Sequence, residues 1–152
     1  MKQKDKKIRT EMQKWMSDQE ANYNIGITVA FNKDRIKEAE AKRYLKNAFG
    51  YYYRKTLGKK WYLKKDKQHA FIGCKEMGKY GVNLHYHLML ALVPYSFCAF
   101  IKMNRLLNKG LRKYILSGHV HCWPLMEKGW GSYLSKEVRL NTITIFTQKD
   151  LF

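Results

Sequence analysis

The segment QHAFIGCKEMGKYGVNLHYHLMLALV, from Gln68 to Val93, constrains the fold more than any other part of the chain. It holds two apolar stretches separated by a connection around Gly78 to Gly81 that contains glycine and lysine. This pattern is typical of an antiparallel β-hairpin. We therefore expect two paired strands, with His85 and His87 on the second.

The two histidines predict a metal site on one face of that hairpin. Side chains alternate across a strand, so His85 and His87 lie on the same face, roughly 7 Å apart by the strand rise. If the hairpin turns near Tyr80 and Gly81, Glu76 lies opposite His85 on that face. Two imidazoles and one carboxylate suit Mn²⁺ or Mg²⁺, with Zn²⁺ or Ni²⁺ as stronger competitors in the test tube. In the alternative interpretation both histidines only form hydrogen bonds.

Six further segments predict the elements around the hairpin. They are a strand over Tyr23–Phe31, a helix from a cap at Asn32 or Asp34 to near Gly58, a helix from Ser96 to Gly110, a strand in GHVHCWPLM cut short by Pro124, a short helix in WGSYLSKEVRL and an edge strand in NTITIF. No linker or repeat interrupts them. We expect an α+β domain over 21–152 with a mainly antiparallel central sheet flanked by helices, preceded by a basic amphipathic segment over 1–20.

Charge identifies the class of partner. The chain has 30 Lys and Arg against 12 Asp and Glu, a formal net charge of +18 over 152 residues, which concentrates polyanions around it. No apolar run approaches the roughly 20 residues that span a bilayer, and the N-terminus lacks the apolar core of a signal peptide. We expect a cytoplasmic protein that binds nucleic acid and no membrane. Three isolated cysteines, Cys74, Cys98 and Cys122, support neither disulfides nor a zinc site.

A candidate nucleophile follows late in the chain. WGSYLSKEV places Tyr133 and Lys136 three residues apart on the expected helix, so both side chains leave the same face. A hydroxyl beside a cation is a sensible partner for a Lewis acid that acts on a phosphodiester.

Together these motifs resemble those of the HUH endonucleases, specifically the rolling-circle replication initiators with a single catalytic tyrosine. The matching stretches, in order, are IGITVAF with Thr28, LHYHLML, and YLSK, and the resemblance covers about Tyr23 to Arg139. It implies an HUH-nuclease fold, with His85, His87 and Glu76 as metal ligands. It also implies that Tyr133 is the nucleophile and Lys136 an orienting cation.

The activity that the resemblance implies is nicking and rejoining of single-stranded DNA at an origin hairpin. The metal polarises the scissile phosphate, Tyr133 attacks, and a 5′-phosphotyrosine forms beside a free 3′-hydroxyl. Such a reaction initiates rolling-circle replication of a plasmid or virus. Because no helicase domain follows the nuclease in this chain, a separate helicase is expected to unwind the DNA.

Aromatic and basic residues interleave in GYYYRKTLGKKWYLKKDK, from Gly50 to Lys67. Rings can stack on bases and cations can bind phosphates, so this stretch predicts contacts with the DNA backbone. The expected contacts are Arg54, Lys55, Lys59, Lys60, Lys64 and Lys65.

Three alternatives stay open. A transposase of the same superfamily uses the same metal and tyrosine on single strands. The RNA phosphoesterases with two histidine motifs need no metal, but they carry His-x-Thr or His-x-Ser. A basic DNA-binding module would have an inert histidine pair. The second pair, His119 and His121, lacks a well-placed acid and is expected to be strand surface.

Overall fold

The computed structural model describes residues 3–33, 35–78, 83–125, 129–130 and 145–152. Tyr133 and Lys136 lie outside the described residues. No helix within the described ranges is both long enough and apolar enough to cross a membrane.

The described residues form an α+β fold around an antiparallel sheet of five strands. The strands are β1 (Ile25–Ala30), β2 (Phe71–Glu76), β3 (His85–Leu90), β4 (His119–Pro124) and β5 (Ile145–Thr147), in the order β4-β1-β3-β2-β5. The helices are α1 (Gln3–Gln19), α2 (Glu38–Leu57), α3 (Phe97–Arg112) and α4 (Gln148–Leu151), with short 3₁₀ turns at Glu20–Asn22, Trp61–Leu63 and Lys65–Lys67. The expected antiparallel sheet flanked by helices is confirmed.

The hairpin of β2 and β3 has the register expected from the sequence. Glu76 pairs with His85, and Cys74 pairs with His87. The edge position of β5 and the end of β4 at Pro124 also agree with expectation. One detail was wrong: α2 has its N-cap at Lys37, whereas Asn32 lies outside the helix with a positive φ of 51°. The other expected cap, Asp34, lies outside the described residues.

Helices α2 and α3 cover one side of the sheet, called here the helical face. Strand residues at alternate positions, such as Ile27, Tyr86 and Leu88, are buried there with Leu45 and Leu107 from the helices. Burying each such side chain contributes roughly 1.5–3 kcal/mol of favourable free energy. The larger of the two apolar clusters, and so the larger share of the burial energy, therefore lies on the helical face.

Gly110 has a packing role rather than the helix-ending role that we expected. α3 continues through Gly110 to Arg112. A Cβ at Gly110 would lie 2.8 Å from Tyr51 Cβ and 3.0 Å from the Ala48 carbonyl oxygen. The missing side chain lets α3 approach α2 closely, and that approach determines which residues meet at the ends of the two helices.

The opposite side of the sheet, called here the histidine face, has a smaller apolar cluster. Met16 of α1 is fully buried against Ile72, Cys74 and Met89. Burial raises the pKa of the Cys74 thiol to about 12, so Cys74 is a neutral packing group here. Beside this cluster, the histidine face carries the His85, His87 and Glu76 side chains of β2 and β3.

Candidate metal centre

The sheet register places both histidine pairs on the histidine face. Thr28 of β1 pairs with His87 on one side and with His121 on the other. Ala30, two residues later, pairs with His85 and His119 in the same way. Directly paired residues project to the same face, so the two pairs form two parallel rows across three strands.

His87 is a buried polar side chain of this face, with only 8% of its surface exposed. Its Nε2 lies 2.5 Å from Glu76 Oε2, and its Nδ1 lies 2.9 Å from Thr28 Oγ1. The central position of β3 explains this arrangement, because β1 supplies the threonine and β2 supplies the glutamate. Both ring nitrogens are therefore held by side chains from neighbouring strands.

The short separation of His87 Nε2 from Glu76 Oε2 requires a proton or a cation between them, because an imidazole lone pair and a carboxylate repel each other. With a proton there, Nε2 donates to Glu76. A cation in place of that proton would leave the ring proton on Nδ1, which would then donate to Thr28 Oγ1 and fix the ring by an outer hydrogen bond.

The residues fit a divalent cation after a small adjustment. Bonds of about 2.0–2.2 Å to nitrogen and oxygen need Nε2 and Oε2 roughly 3 Å apart, slightly more than the observed separation. The His85 ring is nearly parallel to that of His87, with centroids 6.4 Å apart, and must rotate towards Glu76 to become a third ligand. Within the described ranges no group of three or more His, Cys, Asp or Glu side chains is already arranged to hold a metal.

Two tryptophans form one wall of the site. The Trp130 ring meets the His87 ring edge to face, with centroids 5.6 Å apart. Trp130 also meets the Trp123 ring edge to face, with centroids 4.7 Å apart. The Trp130 indole nitrogen donates to the Leu88 carbonyl oxygen at 3.4 Å. These rings exclude water from one side of His87, which strengthens electrostatic interactions there. We did not anticipate either tryptophan from the sequence, although both lie close in sequence to motifs that we identified.

Gly26 makes room for this wall. A Cβ at Gly26 would lie 2.5 Å from Trp123 Cε2, so the indole rests directly on the strand backbone. Trp123 also stacks on His121, with centroids 5.3 Å apart and planes 27° apart. The wall therefore connects the two histidine pairs through rings.

The second histidine pair lies where the sequence indicated, on the surface of a strand. His119 and His121 are both exposed, and β4 is an edge strand whose single neighbour among the described strands is β1. Thr28, which lies between the two pairs in the sheet, forms its hydrogen bond with His87. His121 and His87 therefore differ because of their neighbouring strands, since the spacing of the two pairs in the sequence is the same.

The predicted DNA-binding residues lie away from the candidate metal centre. Arg54 and Lys55 are in the last turn of α2, and Lys64 donates to the Leu57 carbonyl oxygen at 2.6 Å. Lys59, Lys60 and Lys65 are exposed in the segment between α2 and β2. That segment leads into β2 at Phe71, roughly 17 Å along the strand from Glu76. The structure therefore separates this basic segment from the histidines.

Searches of protein-family models, of curated proteins and of solved structures found no match to this chain.

Proposed function

We propose that this protein nicks and rejoins single-stranded DNA through a 5′-phosphotyrosine, as HUH endonucleases do, and so initiates rolling-circle replication of a plasmid or virus. The observation that carries the proposal is the Thr28–His87–Glu76 network. It joins three residues from three strands, and two of them were expected to bind a metal. Thr28 belongs to the first of the three matching stretches.

The residues available for the cation are Glu76, His87 and, after rotation, His85. A divalent ion such as Mn²⁺ or Mg²⁺ bound there would polarise the scissile phosphate. Glu76 contributes the negative charge that favours a cation in so basic a protein. Thr28 keeps the His87 ring in the orientation that directs Nε2 at Glu76, and the tryptophan wall limits access of water.

Tyr133 is the proposed nucleophile. It follows Trp130 by three residues, and three residues of chain span at most about 11 Å. Trp130 contacts His87, so chain length permits Tyr133 to reach the same site. The phenolic oxygen forms a bond to phosphorus as the bond to the 3′-oxygen breaks, and the phenolic proton passes to a base while the leaving 3′-oxygen gains one. Lys136 would orient the phosphate.

The partner in this proposal is a single strand, presented by an origin hairpin after a separate helicase has opened the duplex. The formal charge of +18 supports a polyanionic partner of this kind. The proposed fold is the HUH-nuclease fold within the α+β class, and the proposed compartment is the cytoplasm of the host cell.

The decisive experiment is formation of a covalent adduct. Protein incubated with Mn²⁺ and a library of randomised single-stranded stem-loops should give a species that migrates more slowly on a denaturing gel. Tyr133→Phe should abolish it, Lys136→Ala should reduce it, and EDTA should prevent it. Tyr95→Phe and Lys149→Ala are matched controls at residues that lie away from the histidines. An adduct that survives Tyr133→Phe or EDTA, or no adduct from the library, contradicts the proposal.

The register favours one second candidate, a metal-independent RNA phosphoesterase. Both histidine pairs lie on the same face, in the same two rows, as acid and base on opposite sides of a phosphodiester would require. In that case cleavage of an RNA phosphodiester would persist in EDTA and would be lost with His121→Ala as well as His87→Ala. The nuclease proposal expects the opposite result in both tests.

A further inference from the structure

A cavity of about 230 Å³ lies in the helical layer, where α2, the turn at Trp61 and the end of α3 meet. Its lining includes Lys46, Arg54 and Lys113 together with Tyr51 and other rings, and none of the described lining residues is acidic. Arg54 was predicted to bind DNA, but the cavity itself was not visible in the sequence. It belongs to the face of the sheet opposite the metal centre.

Aromatic rings form the walls of this cavity, and cations lie over them. Lys113 Nζ lies 4.7 Å from the centroid of the Tyr51 ring, and Lys55 Nζ lies 5.7 Å from it. The Trp61 ring is held from behind by Tyr53, with centroids 5.6 Å apart and planes 27° apart. Tyr114, also in the lining, is 52% exposed. Fixed rings beside cations suit a base and its phosphate.

Gly50 keeps the cavity open. It lies inside α2, where glycine is less favourable than alanine. A Cβ at Gly50 would meet Trp61 Cζ2 at 3.4 Å, an ordinary contact, whereas a Cβ at Gly110 would collide with α2. Packing therefore requires glycine at 110 but not at 50. The effect of glycine at 50 is to expose the Trp61 edge to the cavity.

The cations of the cavity are available to an anion. Among the ion pairs of the described chain, none involves Lys46, Arg54 or Lys113. The close approach at Gly110 brings the end of α3 against α2, which places Lys113 over Tyr51. An unpaired cluster of three cations beside aromatic rings matches the alternating phosphates and bases of a single strand.

We propose that this cavity binds one nucleotide of single-stranded nucleic acid, with the base against Trp61 and Tyr114 and the phosphate at Arg54 and Lys113. The cavity is smaller than the roughly 300–1,000 Å³ typical of drug-sized ligands, in keeping with one base. The inference takes its partner from the proposed function but concerns a second site on the opposite layer. Its role is to hold the strand without taking part in cleavage.

Binding of fluorescein-labelled (dT)₂₀ in EDTA tests the site without the metal chemistry. Tyr114→Ala and Gly50→Met should each weaken binding about 10-fold, the first by removing a stacking ring and the second by filling the cavity. Tyr95→Ala and Lys102→Ala, on exposed residues outside the cavity, are the matched controls and should bind nearly as the wild type. Lys113→Ala should also lower the dependence of log Kd on log salt by about one unit.

Dextran sulfate, a polyanion without bases, separates stacking from charge. Its binding should be unchanged by Tyr114→Ala and weakened by Lys113→Ala. The inference is overturned if Tyr114→Ala and Gly50→Met bind (dT)₂₀ as tightly as the controls, or if Tyr114→Ala weakens both ligands equally. Failure here leaves adduct formation by Tyr133 untouched, and Tyr133→Phe should retain full (dT)₂₀ binding, so the two proposals fail separately.

Discussion

The two histidine pairs have the same spacing, lie on the same face and occupy the same two rows, yet their surroundings differ. His87 is buried on a central strand, with a threonine from one neighbour and a glutamate from the other. His121 is exposed on an edge strand and stacks on Trp123. The same His-x-His spacing therefore occurs in two different environments. Around His87 the neighbouring strands supply a carboxylate and a hydrogen bond that orients the ring.

Replacing one histidine of each pair tests this contrast most directly. His87→Ala should reduce adduct formation by at least about 100-fold, since it removes a proposed ligand at the centre of the network. His121→Ala should change it less than about threefold, because His121 is exposed and takes part in neither of the two hydrogen bonds described for His87. Adduct yield with Mn²⁺ and affinity for Mn²⁺ by calorimetry are the measurements. Equal losses from both variants would contradict the asymmetry.

The second largest effect, on metal affinity, is expected from loss of the hydrogen bond between Thr28 and His87. Thr28→Val keeps the shape of the side chain but removes the hydroxyl bonded to His87 Nδ1. Loss of such a partner typically lowers metal affinity about 10- to 100-fold. Calorimetric titration with Mn²⁺ measures the loss, and circular dichroism checks that the fold persists. Thr10→Val, on exposed α1, is a control; unchanged affinity in Thr28→Val would mean that the bond does not orient the ring.

A smaller effect, on stability, is expected from a substitution beneath Trp123, which links the two histidine pairs. Gly26→Ala would push the Trp123 indole off the strand and should lower the free energy of unfolding by about 1–3 kcal/mol. Gly50→Ala is the control, because its Cβ makes only an ordinary contact with Trp61 and the substitution should raise the free energy of unfolding by up to about 1 kcal/mol. Urea unfolding measures both. A stable Gly26→Ala variant would show that Trp123 can move without cost.

The smallest expected effect is on the pH dependence of stability, and it involves His69, the histidine that belongs to neither pair. Burial lowers the pKa of His69, whose Nε2 lies 2.9 Å from the Tyr52 hydroxyl. A lowered folded-state pKa stabilises the protein above the ordinary histidine value near 6.5, and this contribution is lost as the pH falls from there towards the folded-state value. His69→Gln should flatten the decline measured by urea unfolding between about pH 7 and 5. An identical decline in both proteins would contradict this assignment.

Much of the framework was predictable because it rests on local patterns. The hairpin register follows from period-two alternation and a short connection, so Glu76 was correctly placed opposite His85. α2 ends where Gly58 takes a positive φ of 92°, as glycine after a helix predicts. The surface position of His119 and His121 was also correct. Local patterns failed at Gly110, where a residue typical of helix ends instead permits helix packing.

The candidate metal centre was only partly predictable, because two of its contacts join residues far apart in the sequence. Thr28 and His87 are 59 residues apart, and no local pattern shows that β1 lies beside β3. The Trp123 and Trp130 wall depends on the same arrangement of strands. The basic segment after α2 enters β2 at Phe71, the end of the strand opposite Glu76. Its distance from the histidines follows from that connection and could not be predicted from its composition.

The class of fold, the hairpin with its facing glutamate and the positive charge could all be predicted, because alternation, turn residues and composition act within a few residues of the chain. The hydrogen bond from Thr28 to His87, the shared face of the second histidine pair and the contact of Lys113 with Tyr51 beside an open cavity became visible in the folded chain. These features depend on strand order and helix packing. Burial of the whole core selects those arrangements, and no single segment encodes them.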